Sequence, residues 1–188
     1  MRLHTPGAEG ATDDGLLLAD GTLIRLRPLG PEDRAGLTAL FDRLSPESRH
    51  RRFLSPKRHL TLRELAYFTD IDHVRHEAFA AVSRCDGSIV GVGRYVHVAD
   101  RPGVAAVAVA VADDLQGMGI GTALARHTVR RARANGFALL TATTLWTNRP
   151  ARALLRGLEF HACGSDGGVI ELELELSSGP GATAGTAS

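Results

Sequence analysis

Apolar and polar positions alternate with a period of two or of about 3.6 along most of the chain, and the switches between these periods mark out its elements. Between residues 16 and 29, Leu23, Ile24 and Leu26 form a short run whose arginines face away, the pattern of an edge strand. Gly30-Pro31-Glu32-Asp33 then opens a helix, with proline in its first turn and acids at the positive end of the helix dipole. Leu37, Leu40, Phe41 and Leu44 follow at helical spacing, and Ser45-Pro46 starts a second helical piece. Thr61 with Glu64 reads as a capping box, flanked by the staple pair Leu60 and Leu65, so a third helix follows.

Strands come next. The segment 78–83, the turn Cys85-Asp86-Gly87-Ser88 and the segment 89–98 read as a hairpin. From 104 to 112, Val107, Val109 and Val111 alternate with Ala106, Ala108 and Ala110, giving one branched face and one nearly bare face. A ligand or a closely packed helix would suit the bare side equally well. An arginine-rich helix ending at Gly136, a strand over 138–145, a helix over 148–156 and a terminal hairpin, 160–163 with 169–176, complete the order. In that hairpin Glu171, Glu173 and Glu175 alternate with leucines, as on the wet face of an edge strand.

Composition narrows the class. The 188 residues suit one well-cored domain, placed at 15–176, between two small-residue, polar tails at 1–14 and 177–188. A net charge of +1 gives no global field for nucleic acid. Cys85 and Cys163 fit no metal or redox spacing, and Asp72, His73 and His76 form only a weak cluster, so no metal is expected. With no membrane-length apolar run and no signal-peptide core, the expected location is the cytoplasm and no membrane partner is expected.

The chemistry concentrates in Gln116-Gly117-Met118-Gly119-Ile120-Gly121-Thr122, between the alternating strand and the arginine-rich helix. Bare backbone at a helix N-terminus offers unpaired N–H groups and partial positive charge, which suits a phosphate or pyrophosphate. A nucleoside-triphosphate loop would need a lysine after the last glycine, where this chain has Thr122 and Ala123. A dinucleotide fold would need GxGxxG and an acid some twenty residues on; the chain has GMGIG and then Thr141 with non-acidic neighbours.

The stretch Gln116 to Gly121 resembles the Q/R-x-x-G-x-G/A signature of the GNAT superfamily of N-acetyltransferases. The order of elements over residues 16–176 is similar to that family's, and Asn148 with Leu154, Leu155 and Leu158-Glu159-Phe160 resembles its N…LL…LGF segment. The stretch SPESRHRRFLSPKRHLTLRELAYFTDIDHVRHEAFAAV is similar to the acetyltransferase domain of bacterial protein-lysine acetyltransferases, in which a regulatory or ligase-like module is often fused; none is expected within these residues. The resemblance implies an α/β fold, a mixed, mainly antiparallel twisted sheet of six or seven strands with helices on both faces. It implies acetyl-CoA as acetyl donor and a primary amine, a small molecule or a protein lysine, as acceptor. Main-chain groups of Val109 and Val111 would line the pantetheine. Gln116, Gly117, Met118, Gly119, Ile120, Gly121 and Thr122 would wrap the pyrophosphate, Asn148 would sit near the thiol, and Arg152 would reach the cofactor. Oligomeric state is left open, a homodimer included.

Two positions depart from the pattern. Lysine-acetylating relatives carry a general-base glutamate where this chain has Ala106, and many members carry a general-acid tyrosine where it has Leu155. Three explanations stand: another residue serves as base, with Glu77 and His76 the leading candidates beside Asp72 and His73; water removes the proton; or the domain binds acyl-CoA without transferring anything, as a regulator.

Overall fold

The computed structural model describes residues 15–18 and 21–176. The proposed tails at 1–14 and 177–188 lie outside the described residues. Eight strands form one sheet: β1 (Gly15–Leu17), β2 (Leu23–Pro28), β3 (His76–Ser83), β4 (Ile89–His97), β5 (Val104–Val111), β6 (Leu139–Leu145), β7 (His161–Asp166) and β8 (Val169–Glu175), in the order β1-β2-β3-β4-β5-β6-β8-β7. Every neighbouring pair is antiparallel except β5 and β6. The helices are α1 (Arg34–Asp42), α2 (Pro46–Phe53), α3 (Leu62–Thr69), α4 (Ile120–Ala134) and α5 (Arg149–Arg156). The expected mixed, mainly antiparallel fold is therefore present, with eight strands instead of six or seven.

Two edges differ from the sequence reading. The first apolar run folds back on itself as a β1–β2 hairpin around Gly21, whose φ of 84° makes the reversal, so β2 is not an edge. At the other end β7 turns outward and leaves β8 between β6 and β7. The alternating glutamates thus belong to an internal strand, with Glu171 and Glu175 exposed and Glu173 paired with Arg101 at 3.3 Å.

Helices cover both faces. On one side α4 drives Ile120 and Leu124, both fully buried, against Ile24, Phe79, Ala81 and Val90. Burial of each such side chain contributes roughly 1.5–3 kcal/mol. On the other side α1 and α3 place Leu37, Leu40 and Leu65 on Ala78, Ala80 and Val92. Successive residues of β3 consequently meet two different cores, which explains its nearly unbroken apolar run. The start of α3 has the anticipated capping box: Thr61 Oγ1 accepts from the Glu64 N–H at 3.2 Å and Glu64 accepts from the Thr61 N–H at 2.9 Å.

Candidate active site

The parallel pair β5–β6 is joined over only three rungs, Val104–Leu139, Ala105–Leu140 and Ala106–Thr141. Beyond them the strands diverge, although β5 stays fully paired with β4 as far as Val111. Along a strand, the N–H and C=O of one residue point to the same side and alternate at the next. The Val104 carbonyl accepts from Val98 and the Ala112 N–H donates to Val90, so even-numbered residues of β5 bond toward β4. The main-chain groups of Val107, Val109 and Val111 therefore point into the gap.

That gap is a cleft of about 250 Å³ lined by residues 107–111 of β5, Gln116, Gly117 and Gly121 of the glycine loop, Thr143 and Thr144 of β6, Asn148, Leu154 and Leu155 beside α5, and Ser48, Arg51 and Arg52 of α2. Among these lining residues there is no carboxylate, imidazole, phenol, thiol or amine. The charged side chains there are two arginines.

The glycines do two different things. Gly117 and Gly119 have φ of 80° and 89°, and nothing stands within 4 Å of a Cβ added to either; the backbone conformation, not crowding by the protein, calls for glycine there. A Cβ on Gly121 would lie 3.3 Å from Leu154 Cδ1 and 3.7 Å from Val111 Cγ2, so this glycine lets α4 approach α5 and β5. Among the described residues, no group accepts a hydrogen bond from the main-chain N–H groups of residues 117–122. The Gln116 side chain turns back, its Nε2 donating to the Val111 carbonyl at 3.2 Å and to Asp113 Oδ1 at 3.0 Å. It braces the loop. The same loop fixes α2 over the cleft: Asp113 accepts from the Ser45 N–H at 3.1 Å, and Arg43 pairs with Asp114 at 2.6 Å.

On the far wall Asn148 caps α5, its Oδ1 accepting from the Ala151 N–H at 3.3 Å. Leu155 fills the position expected for a phenol and is buried among Phe160, Ala142 and Leu172. Arg152 turns away from the cleft: it donates to the Trp146 carbonyl at 3.0 Å and stacks over the Trp146 ring at 4.0 Å. Met118 and Thr122 of the loop, like Ile120, do not line the cavity. Ile120 is wholly buried as the first core residue of α4.

The base candidates fall on opposite faces of β3, and neither lines the cleft. Glu77 lies under α4, buried, its carboxylate 2.7 Å from His73 Nδ1 and accepting from Arg131 Nε at 3.1 Å and the Ala78 N–H at 3.1 Å. This is a tie between β3 and α4. His76 lies on the other face, its Nε2 3.2 Å from an Arg94 guanidinium nitrogen, and its pKa is pushed down to about 4, first by burial and then by the Arg94 charge. Asp72 accepts from the N–H groups of Val74, Arg75 and His76 and organises the loop before β3. Among the described residues no group of three side chains is placed to hold a metal ion.

Register puts His76, Val96, Ala106, Thr141 and Glu173 in one row across the sheet, all on the bare-alanine face. Arg94 and Ala108 form the next directly opposed pair. Sequence reasoning missed Arg52 and Arg94, because only the packing of α2 on the sheet, against β5 and β6, brings them to the same place.

The family model of the acetyltransferase (GNAT) family matches residues 38–160. An acetyltransferase from Pseudomonas aeruginosa is 37% identical over 145 residues, which cover 76% of this chain and 77% of that protein. The acetyltransferase Pat of Mycolicibacterium smegmatis is 28% identical over 83% of this chain, a match that spans 46% of Pat. Among solved structures, the GNAT domain of S. lividans PAT superposes with a TM-score of 0.79 at 28% identity, over 86% of this chain and 96% of that one. The chain belongs to the GNAT acetyltransferase family and is an acetyl-CoA-dependent N-acetyltransferase.

Proposed function

We propose that the protein transfers the acetyl group of acetyl-CoA to a primary amine by direct attack within one ternary complex. The carrying observation is the parting of β5 from β6 immediately past Ala106, beside a helix N-terminus whose first amides have no acceptor among the described residues. A pantetheine arm fits such an opened edge as an added strand would, bonding to the inward groups of Val107, Val109 and Val111. The amides of residues 117–122 suit the diphosphate, supported by the dipole of α4. Asn148, at the start of α5, lines the same cleft. Arg152 would have to leave Trp146 to reach the cofactor.

The chain's own contribution to catalysis is alignment and polarisation. A β5 N–H aimed into the gap can donate to the thioester oxygen as it gains negative charge. Bringing amine and thioester into contact supplies much of the remaining acceleration. With alanine at 106 and leucine at 155, the ammonium proton leaves through water. His76, neutral at pH 7, lies in the same row of the sheet as Ala106. Glu77 serves as the β3–α4 tie described above.

Steady-state thiol release with varied acetyl-CoA and amine tests this reading. Intersecting initial-velocity patterns with no acetylated enzyme by mass spectrometry are expected. A parallel pattern with a trapped acetyl-enzyme would exclude direct attack, and cofactor binding without turnover on any amine would make the protein a silent acyl-CoA binder.

A further inference from the structure

Several sheltered arginines pair with a carboxylate: Arg27 with Asp33 at 2.6 Å, Arg43 with Asp114 at 2.6 Å and Arg51 with Glu47 at 2.5 Å. Arg52 and Arg94 do not. Arg94 is 5% exposed; its guanidinium donates to the Phe68 carbonyl at 3.3 Å, meets His76 Nε2 and stacks over Phe68 at 4.5 Å. Arg52 lies 5.0 Å over the Phe53 ring and, among the described residues, makes no hydrogen bond or ion pair. The two are close enough for the Arg52 charge to disfavour that of Arg94, and burial pushes their pKa values down to about 10 and about 9 respectively.

Their position matters as much as their isolation. Arg52 lines the cleft, and together with Arg94, Val92 and Ala110 it also lines a smaller side cavity of about 40 Å³ beneath α1, α2 and α3. Both therefore border the bare-alanine face of β5, where an acceptor has room because Ala106, Ala108 and Ala110 carry no bulk. Two sheltered positive charges without a counter-charge are costly unless a ligand brings one. The planar guanidinium fork matches a carboxylate or a phosphorus oxyanion.

We propose that the acceptor is a small primary amine bearing a carboxylate or phosphorus oxyanion, held by Arg52 with Arg94 on the alanine face of β5. This rests on the transferase reading above and names its substrate class. A bound carboxylate leaves one of the two positive charges uncancelled. That charge favours the neutral amine over the ammonium and lightens the task left open by Ala106. A lysine side chain on a neutral or basic peptide brings no anion and meets repulsion.

The test compares kcat/KM for a panel of primary amines: 4-aminobutanoate and its methyl ester, 2-aminoethylphosphonate, and a lysine-containing peptide. The carboxylated or phosphonated amine should exceed the ester and the peptide about 10–100-fold, the size expected for a charged hydrogen bond. Arg52→Met should lower kcat/KM for the anionic amine, mainly through KM, at least tenfold more than for the ester, with Arg52→Lys intermediate. Arg94→Met should do the same if it folds; Arg52, half-buried on α2, supplies the variant that does not depend on that. Acetyl-CoA affinity by calorimetry confirms that each variant retains the donor site. Equal rates for acid and ester, or preference for the peptide, overturns the inference while the transferase reading stands. No turnover with any amine, despite acetyl-CoA binding, removes both.

Discussion

Ala106 and Thr141 form the last cross-strand pair between β5 and β6, and the cleft begins at the next residue. Ala106 is exposed and flanked on its own face by Val96 and Thr141, so a longer side chain has space to stand there. Ala106→Glu should restore a carboxylate on the acceptor face. It should raise kcat/KM near neutral pH, by up to the 10²–10⁴-fold typical of general-base help. Thiol-release kinetics check it; an unchanged rate would place proton removal beyond reach of this position.

Water-mediated proton loss also fixes the pH profile. Between pH 6 and 9 log kcat/KM should climb with a slope near one toward the amine's own pKa, since only the neutral amine attacks. His76, held near 4, adds no inflection in that range. A plateau with its midpoint near 6.5 would show a protein base at work. In Ala106→Glu the rise should level off earlier.

Stability carries the opposite signature. His76 is depressed in the fold, so between about pH 6.5 and 4 the unfolded chain binds the extra proton and stability falls as pH falls. Arg94 and His73 oppose its protonation and Asp72 favours it. His76→Gln should flatten that part of a urea-denaturation series taken from pH 7 to 4. An unaltered slope would assign it to carboxylates alone, such as Glu64, whose pKa is lowered to about 2 chiefly by Lys57.

Gly119 holds φ at 89°, so Gly119→Ala should cost about 1 kcal/mol or more in stability and weaken acetyl-CoA binding by deforming the amide cradle. Gly121→Val should act differently. Its bulk meets Leu154 and Val111, separating α4 from α5, so the melting temperature drops more than affinity does. Thermal unfolding and calorimetry on both variants distinguish the two roles.

Glu77→Gln should lower stability by about 1–3 kcal/mol, because a buried acceptor for Arg131 and the Ala78 N–H is weakened, yet change kcat by less than twofold. A large kcat loss at unchanged stability would return Glu77 to the chemistry.

The local pattern determined most elements on its own. Alternation over 107–111 is a strand in any context, the Thr61–Glu64 box starts a helix using only its own four residues, and GMGIG followed by a helical period announces free amides at a helix start. These signals act between residues adjacent in sequence. The tertiary structure decided what depends on distant pairing. The Leu16–Leu29 run became a hairpin, and β8 moved inside β7, because register is set between strands and not within one. The cleft exists because β6 meets β5 for three rungs and then turns away toward β8, a divergence invisible in either strand's sequence. Glu77 and His76, neighbours in the chain, went to opposite faces of β3 because successive strand residues point opposite ways. Arg52 and Arg94, forty-two positions apart, came to share one wall only when α2 packed on the sheet.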